Sequence, residues 1–96
     1  MLIQTPYKEG DTVSLKLTSG EEVVARLDEE TATKFSLTKP MVLIAQQQGL
    51  GLAPFMFSVS PDAKININAS SVTCISKTAG EIADQYIAST SNIQMV

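Results

Sequence analysis

Histidine and tryptophan are absent from this chain, and cysteine occurs once. The missing histidine removes the Ser-His and Cys-His nucleophile pairs, the commonest general base and a usual zinc ligand together, which points away from catalysis and metal chemistry. A single cysteine, Cys74, permits no internal disulfide and fits a reducing compartment. Set in the apolar segment Val72 to Ile75, it is expected as a small buried hydrophobe. Positive charge is also scarce: seven basic residues against ten acidic ones give a net charge of −3. That balance argues against strong, non-specific binding to phosphate backbones. Long apolar runs are missing as well. Those around Met41 to Ala45 and Leu50 to Phe57 fall far short of the roughly 20 residues of a membrane-spanning helix. The start, MLIQTPYKEG, lacks a basic region followed by an apolar core and a small-residue cleavage site. A cytoplasmic protein without cofactors is expected.

What is present is the pattern of one small folded domain, with 44% apolar and 18% charged residues over 96 positions. A chain of this size buries a modest share of its surface, so association with further copies would help it. Val13, Leu15 and Leu17 alternate with Ser14, Lys16 and Thr18, and Val23, Ala25 and Leu27 alternate with Val24 and Arg26. Two half-buried strands are implied, joined by Ser19-Gly20-Glu21, where glycine can take a positive φ. Pro6 interrupts any regular element before Tyr7, and Gly10-Asp11 marks a turn. A third strand begins at Phe35-Ser36-Leu37. Pro40 breaks the ladder at a bend or an edge, and Met41 to Ala45 reads as a strand buried on both sides. Gln46 to Pro54 reads as a loop. Phe55 to Val59 then reads as a fourth strand with Phe55, Phe57 and Val59 on a core-facing side. Lys64 to Asn68 alternates, and Ser71 to Ile75 forms a fifth strand. Ile82, Ala83, Tyr86 and Ile87 fall at helical spacing, and Thr78-Ala79-Gly80-Glu81 fits a capping box, so a helix from about Ala79 to Ser89 is predicted, with the last residues fraying.

Short, strongly bent strands joined by tight turns suggest a small barrel. Leu17 to Leu27, with Gly20, Val23, Ala25 and Leu27, resembles the first motif of the Sm and Sm-like (LSm, Hfq-related) family, and Ile67 to Ile75 has the apolar spacing of its second motif. The chain thus resembles a divergent, atypical member, of the kind a viral relative would be. The resemblance covers roughly Asp11 to Lys77 and implies a mostly β, five-stranded, strongly bent Sm-like (SH3-like) barrel at about 11–77; the helix at about 79–89, read from its own period, stands at the C-terminus where the family usually has one before the first strand, and the single domain is 1–96. It implies a non-catalytic module forming a homo-oligomeric ring, in which Phe55–Val59 of one subunit pairs with Ser71–Ile75 of the next, with single-stranded RNA as ligand.

The family's usual Asp and Asn are not in place after the hairpin. Lys34 stands nearest the Asn position, and Asn68-Ala69 occupy the place of the common Arg-Gly pair. Lys34 and Asn68 are the candidate RNA contacts: Lys can hold phosphate, and Asn can bond a base edge. The alternative is a homo-oligomeric structural or assembly scaffold that has lost RNA binding, which the acidic charge and altered motif favour. Asp28-Glu29-Glu30 lacks the alternating ligand spacing of a calcium loop and reads as a solvated acidic turn. Gly49-Leu50-Gly51 leads into no helix and has no following Lys-Ser or Lys-Thr, so it is not a phosphate cradle.

Overall fold

The hairpin forms where the alternation puts it. In the computed structural model, which describes residues 7–91, β1 (Thr12–Leu17) and β2 (Glu22–Glu30) run antiparallel with Leu15 opposite Val23 and Val13 opposite Ala25. The turn closes through Gly20, whose φ of 110° an L side chain rarely adopts, with Leu17 N–H donating to the Glu21 carbonyl at 2.9 Å. The inward set of this hairpin is the core. Val13, Leu15, Val23, Ala25 and Leu27 are buried together with Leu17, Phe35, Leu37 and Ile67, and each large member contributes about 1.5–3 kcal/mol through removal from water. The expected interruption at Pro6 and the fraying tail at 92–96 lie outside the described residues.

The next strand is longer than its two apolar pieces suggest. β3 (Lys34–Gln46) joins Phe35-Ser36-Leu37 to Met41–Ala45 in one strand of 13 residues. Pro40 does sit at a bend. The register with β2 slips between Val24–Met41 and Arg26–Thr38, and Lys39 takes a φ of 53°. A proline has no N–H to give to a ladder, so a bulge is where one is tolerated. Met41 to Ala45 is a strand but is not buried on both sides: Met41, Val42 and Leu43 are half-buried, and Ile44 and Ala45 are exposed.

Beyond β3 the chain departs from the expected order. The stretch expected as a loop contains β4 (Gly49–Pro54), which pairs with β3 from Gln46–Gly49 to Met41–Pro54 around the two-residue link Gln47-Gln48. Its glycines support the hairpin. Gly49 takes a φ of 127° at the turn, and a Cβ on Gly51 would come within 2.9 Å of the Gln46 side chain. Phe55 to Val59, in contrast, forms no strand. After Phe55 N–H bonds the Pro40 carbonyl at 3.1 Å, the chain leaves the ladder. Phe55 packs against the core, but Phe57 is 82% exposed and Val59 is exposed too, so the expected core-facing row does not exist.

β5 (Lys64–Asn68) returns to pair with the first half of β3, and a single turn of 3-10 helix, Ala69–Ser71, leads into β6 (Val72–Lys77), which pairs with β1. The result is a six-stranded antiparallel sheet in the order β4-β3-β2-β1-β6, with β5 beside β3. It is not closed, and it has one strand more than expected. Cys74 lies in β6 and is exposed, contrary to expectation, because the alternation of β6 turns Ile75 toward the core and Cys74 away from it.

The helix α1 (Gly80–Ser91) follows close to its predicted position. The Thr78 hydroxyl, expected to cap it, pairs instead with the Ser14 hydroxyl of β1 at 2.8 Å, while Thr78 N–H bonds the Thr12 carbonyl. Tyr86 is the helix's buried residue, and its hydroxyl donates to the carbonyls of Lys39 (2.8 Å) and Thr38 (3.0 Å). The bulge in β3 and the docking of α1 are therefore one arrangement: irregular backbone exposes two carbonyls and a tyrosine satisfies them.

Candidate functional site

The two residues singled out as RNA contacts are brought together. Lys34 opens β3, Asn68 closes β5, and they are register partners across that ladder, both exposed. The corner is built from local turn chemistry. Thr31 N–H donates to the Lys34 carbonyl at 2.9 Å, and the Thr31 hydroxyl accepts from the N–H groups of Lys34 (3.1 Å) and Thr33 (3.3 Å). A threonine bonding its own turn in this way stiffens it. Ala69 N–H then donates to the Thr33 carbonyl at 2.8 Å, tying the turn to the 3-10 segment after Asn68.

Lys34 and Asn68 do not stand alone. The outward residues of β3 meet those of β5 as the pairs Lys34–Asn68, Ser36–Asn66 and Thr38–Lys64. Strand geometry sets the two lysines about 13 Å apart along the ladder, with amides and hydroxyls between them. Sequence reasoning missed Ser36, Thr38, Lys64 and Asn66, although the alternation of Lys64-Ile65-Asn66-Ile67-Asn68 already placed two of them on one face with Asn68. The acidic residues border this strip. Glu29 and Glu30 are register partners of Ser36 and Phe35, and the Thr38 hydroxyl donates to the Asp28 carboxylate. Asp28 to Glu30 is thus the end of β2 and not a turn. Among the described residues no group of three or more His, Cys, Asp or Glu could hold a metal ion.

A second feature lies at the far end of the sheet. From Pro40 to Pro61 the chain carries no charged residue. Within it, Ile44, Leu50, Met56, Phe57 and Val59 are exposed, which leaves Ile87 as the other large exposed hydrophobe among the described residues. The outer half of β3 and all of β4 form an arm with apolar side chains on both faces: Met41, Leu43, Ala45, Leu50 and Leu52 on one, Val42, Ile44 and Ala53 on the other. Among the described residues the outer edge of β4 has no neighbour in the sheet, and neither has the outer edge of β6. An uncharged apolar edge is a surface on which another strand can pair. The signal was present in the sequence as Leu50 and Leu52 two apart, hidden by the flanking glycines.

Electrostatics inside the fold centre on Tyr86. Burial pushes its phenol up to about 12, against a smaller lowering influence of Arg26. Tyr7, bonded to the Glu30 carboxylate at 2.9 Å, is also raised, by burial first and then by that carboxylate. No described helix is long and apolar enough to cross a membrane.

No protein-family model and no curated protein matches this chain.

Proposed function

We propose that this chain is a non-catalytic, Sm-like binding module whose copies join head to tail into a homo-oligomeric ring, with single-stranded RNA as its ligand. The observation that carries the assembly is the sheet order: the edges of β4 and β6 that no described strand covers stand at opposite ends of one sheet. Two different edges that pair with each other make a heterologous contact, which closes into a ring when the rotation between copies permits. Since Phe55–Val59 forms no strand, its part passes to β4, while Ser71–Ile75 largely coincides with β6.

Support for the ligand comes from the Lys34–Asn68 pair. Repeated around a ring, one cation and one amide per subunit would hold a strand weakly at each site and firmly in sum. A second reading is an assembly scaffold without RNA binding, favoured by the net charge of −3 and by Glu29 and Glu30 beside the polar strip.

Light scattering tests the assembly: a particle several times 10.3 kDa is expected, and a stable monomer overturns both readings. Anisotropy of short U-rich and A-rich RNA strands, titrated at rising salt, tests the ligand. Binding weakened by Lys34→Ala and Asn68→Ala supports the RNA reading. An oligomer without binding, or with binding indifferent to both changes, leaves the scaffold.

A further inference from the structure

Glu29 of β2, Ser36 of β3 and Asn66 of β5 form one row across three strands, because Ser36 is the register partner of both of the others. Directly opposed residues share a face of a sheet. Ser36 alternates with the core residues Phe35 and Leu37, so the row points outward, and Glu29 and Asn66 are exposed. Neighbouring strands lie about 4.8 Å apart, which sets a carboxylate and a carboxamide on either side of a small serine with room above it. The acidic neighbours of Glu29 are already engaged. Asp28, the extra residue at the β2 bulge, accepts from the Thr38 hydroxyl, and Glu30 accepts from Tyr7. Among the described residues none takes up the Glu29 carboxylate in this way.

A carboxylate only accepts hydrogen bonds, whereas a carboxamide both donates and accepts. A base seated over Ser36 therefore meets an acceptor from β2 and a donor from β5. Adenine and cytosine match this pair, since each carries an exocyclic amino group beside a ring nitrogen that accepts. Uracil has a carbonyl oxygen in place of the amino group, and two acceptors would then face each other. The lysines complete the site. The Lys34–Asn68 and Thr38–Lys64 pairs lie one to either side of the Ser36 row, each about 7 Å along the ladder. Their long side chains can hold the phosphates that flank the base.

We propose that the Glu29–Ser36–Asn66 row reads one base of a bound single strand, accepting adenine and cytosine through their amino groups and rejecting uracil. This rests on the RNA reading above and adds a base preference to it.

The test is fluorescence anisotropy of short homopolymer strands of A, C and U on the full-length chain and on its Glu29→Gln and Glu22→Gln variants, each shown to fold by far-UV circular dichroism. The parent should bind the A and C strands about tenfold more tightly than the U strand, the range in which one base contact discriminates. Glutamine offers a donor as well as an acceptor, so Glu29→Gln should tighten the U strand most and bring the ratio close to one. Glu22→Gln removes the same charge from an exposed position of β2 outside the row, and should leave the ratio unchanged. Equal binding of all three strands by the parent, a preference for U, or a ratio that survives Glu29→Gln would overturn the base-reading row while leaving RNA binding in place. A ratio changed equally by Glu22→Gln would do the same, since the effect would then belong to net charge. No binding of any strand at low salt would overturn the row and the RNA reading together.

Discussion

Lys34 and Asn68, 34 positions apart in the chain, face each other directly across the β3–β5 ladder. Both side chains are exposed and neither belongs to the core cluster, so replacing them tests binding without testing folding. Lys34→Ala and Asn68→Ala should each change unfolding free energy by no more than about 0.5 kcal/mol. In RNA titrations Lys34→Ala is expected to weaken binding and to reduce the salt dependence by about one counterion per subunit engaged. Asn68→Ala should weaken binding while leaving that slope in place, because it removes no charge.

Tyr86 joins the helix to the sheet, and its removal should be felt in stability. Tyr86→Phe leaves the carbonyls of Thr38 and Lys39 without the hydroxyl that serves them. A loss of about 1–3 kcal/mol in denaturant unfolding is expected. The raised pKa also sets a direction with pH. The phenol ionises near 10 in the unfolded chain and only near 12 in the native one. The stabilisation from keeping it neutral is therefore complete below pH 10 and is lost as pH rises from 10 toward 12. Denaturation midpoints across that window should fall more steeply for the parent than for Tyr86→Phe.

Leu15 is fully buried at the centre of the β1–β2 hairpin and faces Val23. Leu15→Ala should cost about 2–5 kcal/mol, a large part of the stability of a domain this small. Gly20→Ala is expected to cost about 1 kcal/mol or more through its φ of 110° alone, since nothing lies within 4 Å of the added methyl. Calorimetric midpoints of the two variants separate a packing loss from a backbone one.

Leu50 projects from β4 with roughly half its surface exposed. Leu50→Lys places a charge on the free apolar arm and should leave monomer stability within about 0.5 kcal/mol of the parent. If β4 pairs with a neighbouring copy, the same change should shift the light-scattering mass toward that of a monomer.

The hairpin, the position of α1, the bend at Pro40 and the pairing face of Lys64 to Asn68 were all legible in the sequence, because each follows from a period or a residue with one conformational preference. The misreadings have equally local causes. Gly49 and Gly51 look like loop glycines, yet one serves a two-residue turn and the other makes room for Gln46. Phe55-Met56-Phe57-Ser58-Val59 has the alternation of a strand, but alternation supplies no neighbour to pair with, and β3 had already given its edges to β2, β4 and β5. Cys74 was misplaced by composition, since an apolar segment at a sheet edge still has an outward face. The direct pairing of Lys34 with Asn68 belongs to a long-range register that no local pattern reveals.

The absence of charge from Pro40 to Pro61 divides the molecule into two regions that answer to different solution conditions. Ionic strength acts on the lysine-framed strip at one end, where attraction for an anionic strand falls as salt rises. It has little electrostatic hold on the uncharged arm, where excluded salts such as sulfate strengthen burial instead. If the strip holds a nucleic acid, raising sulfate should accordingly weaken that attachment while tightening contacts made through the arm, so that loading and self-association move in opposite directions in a single titration.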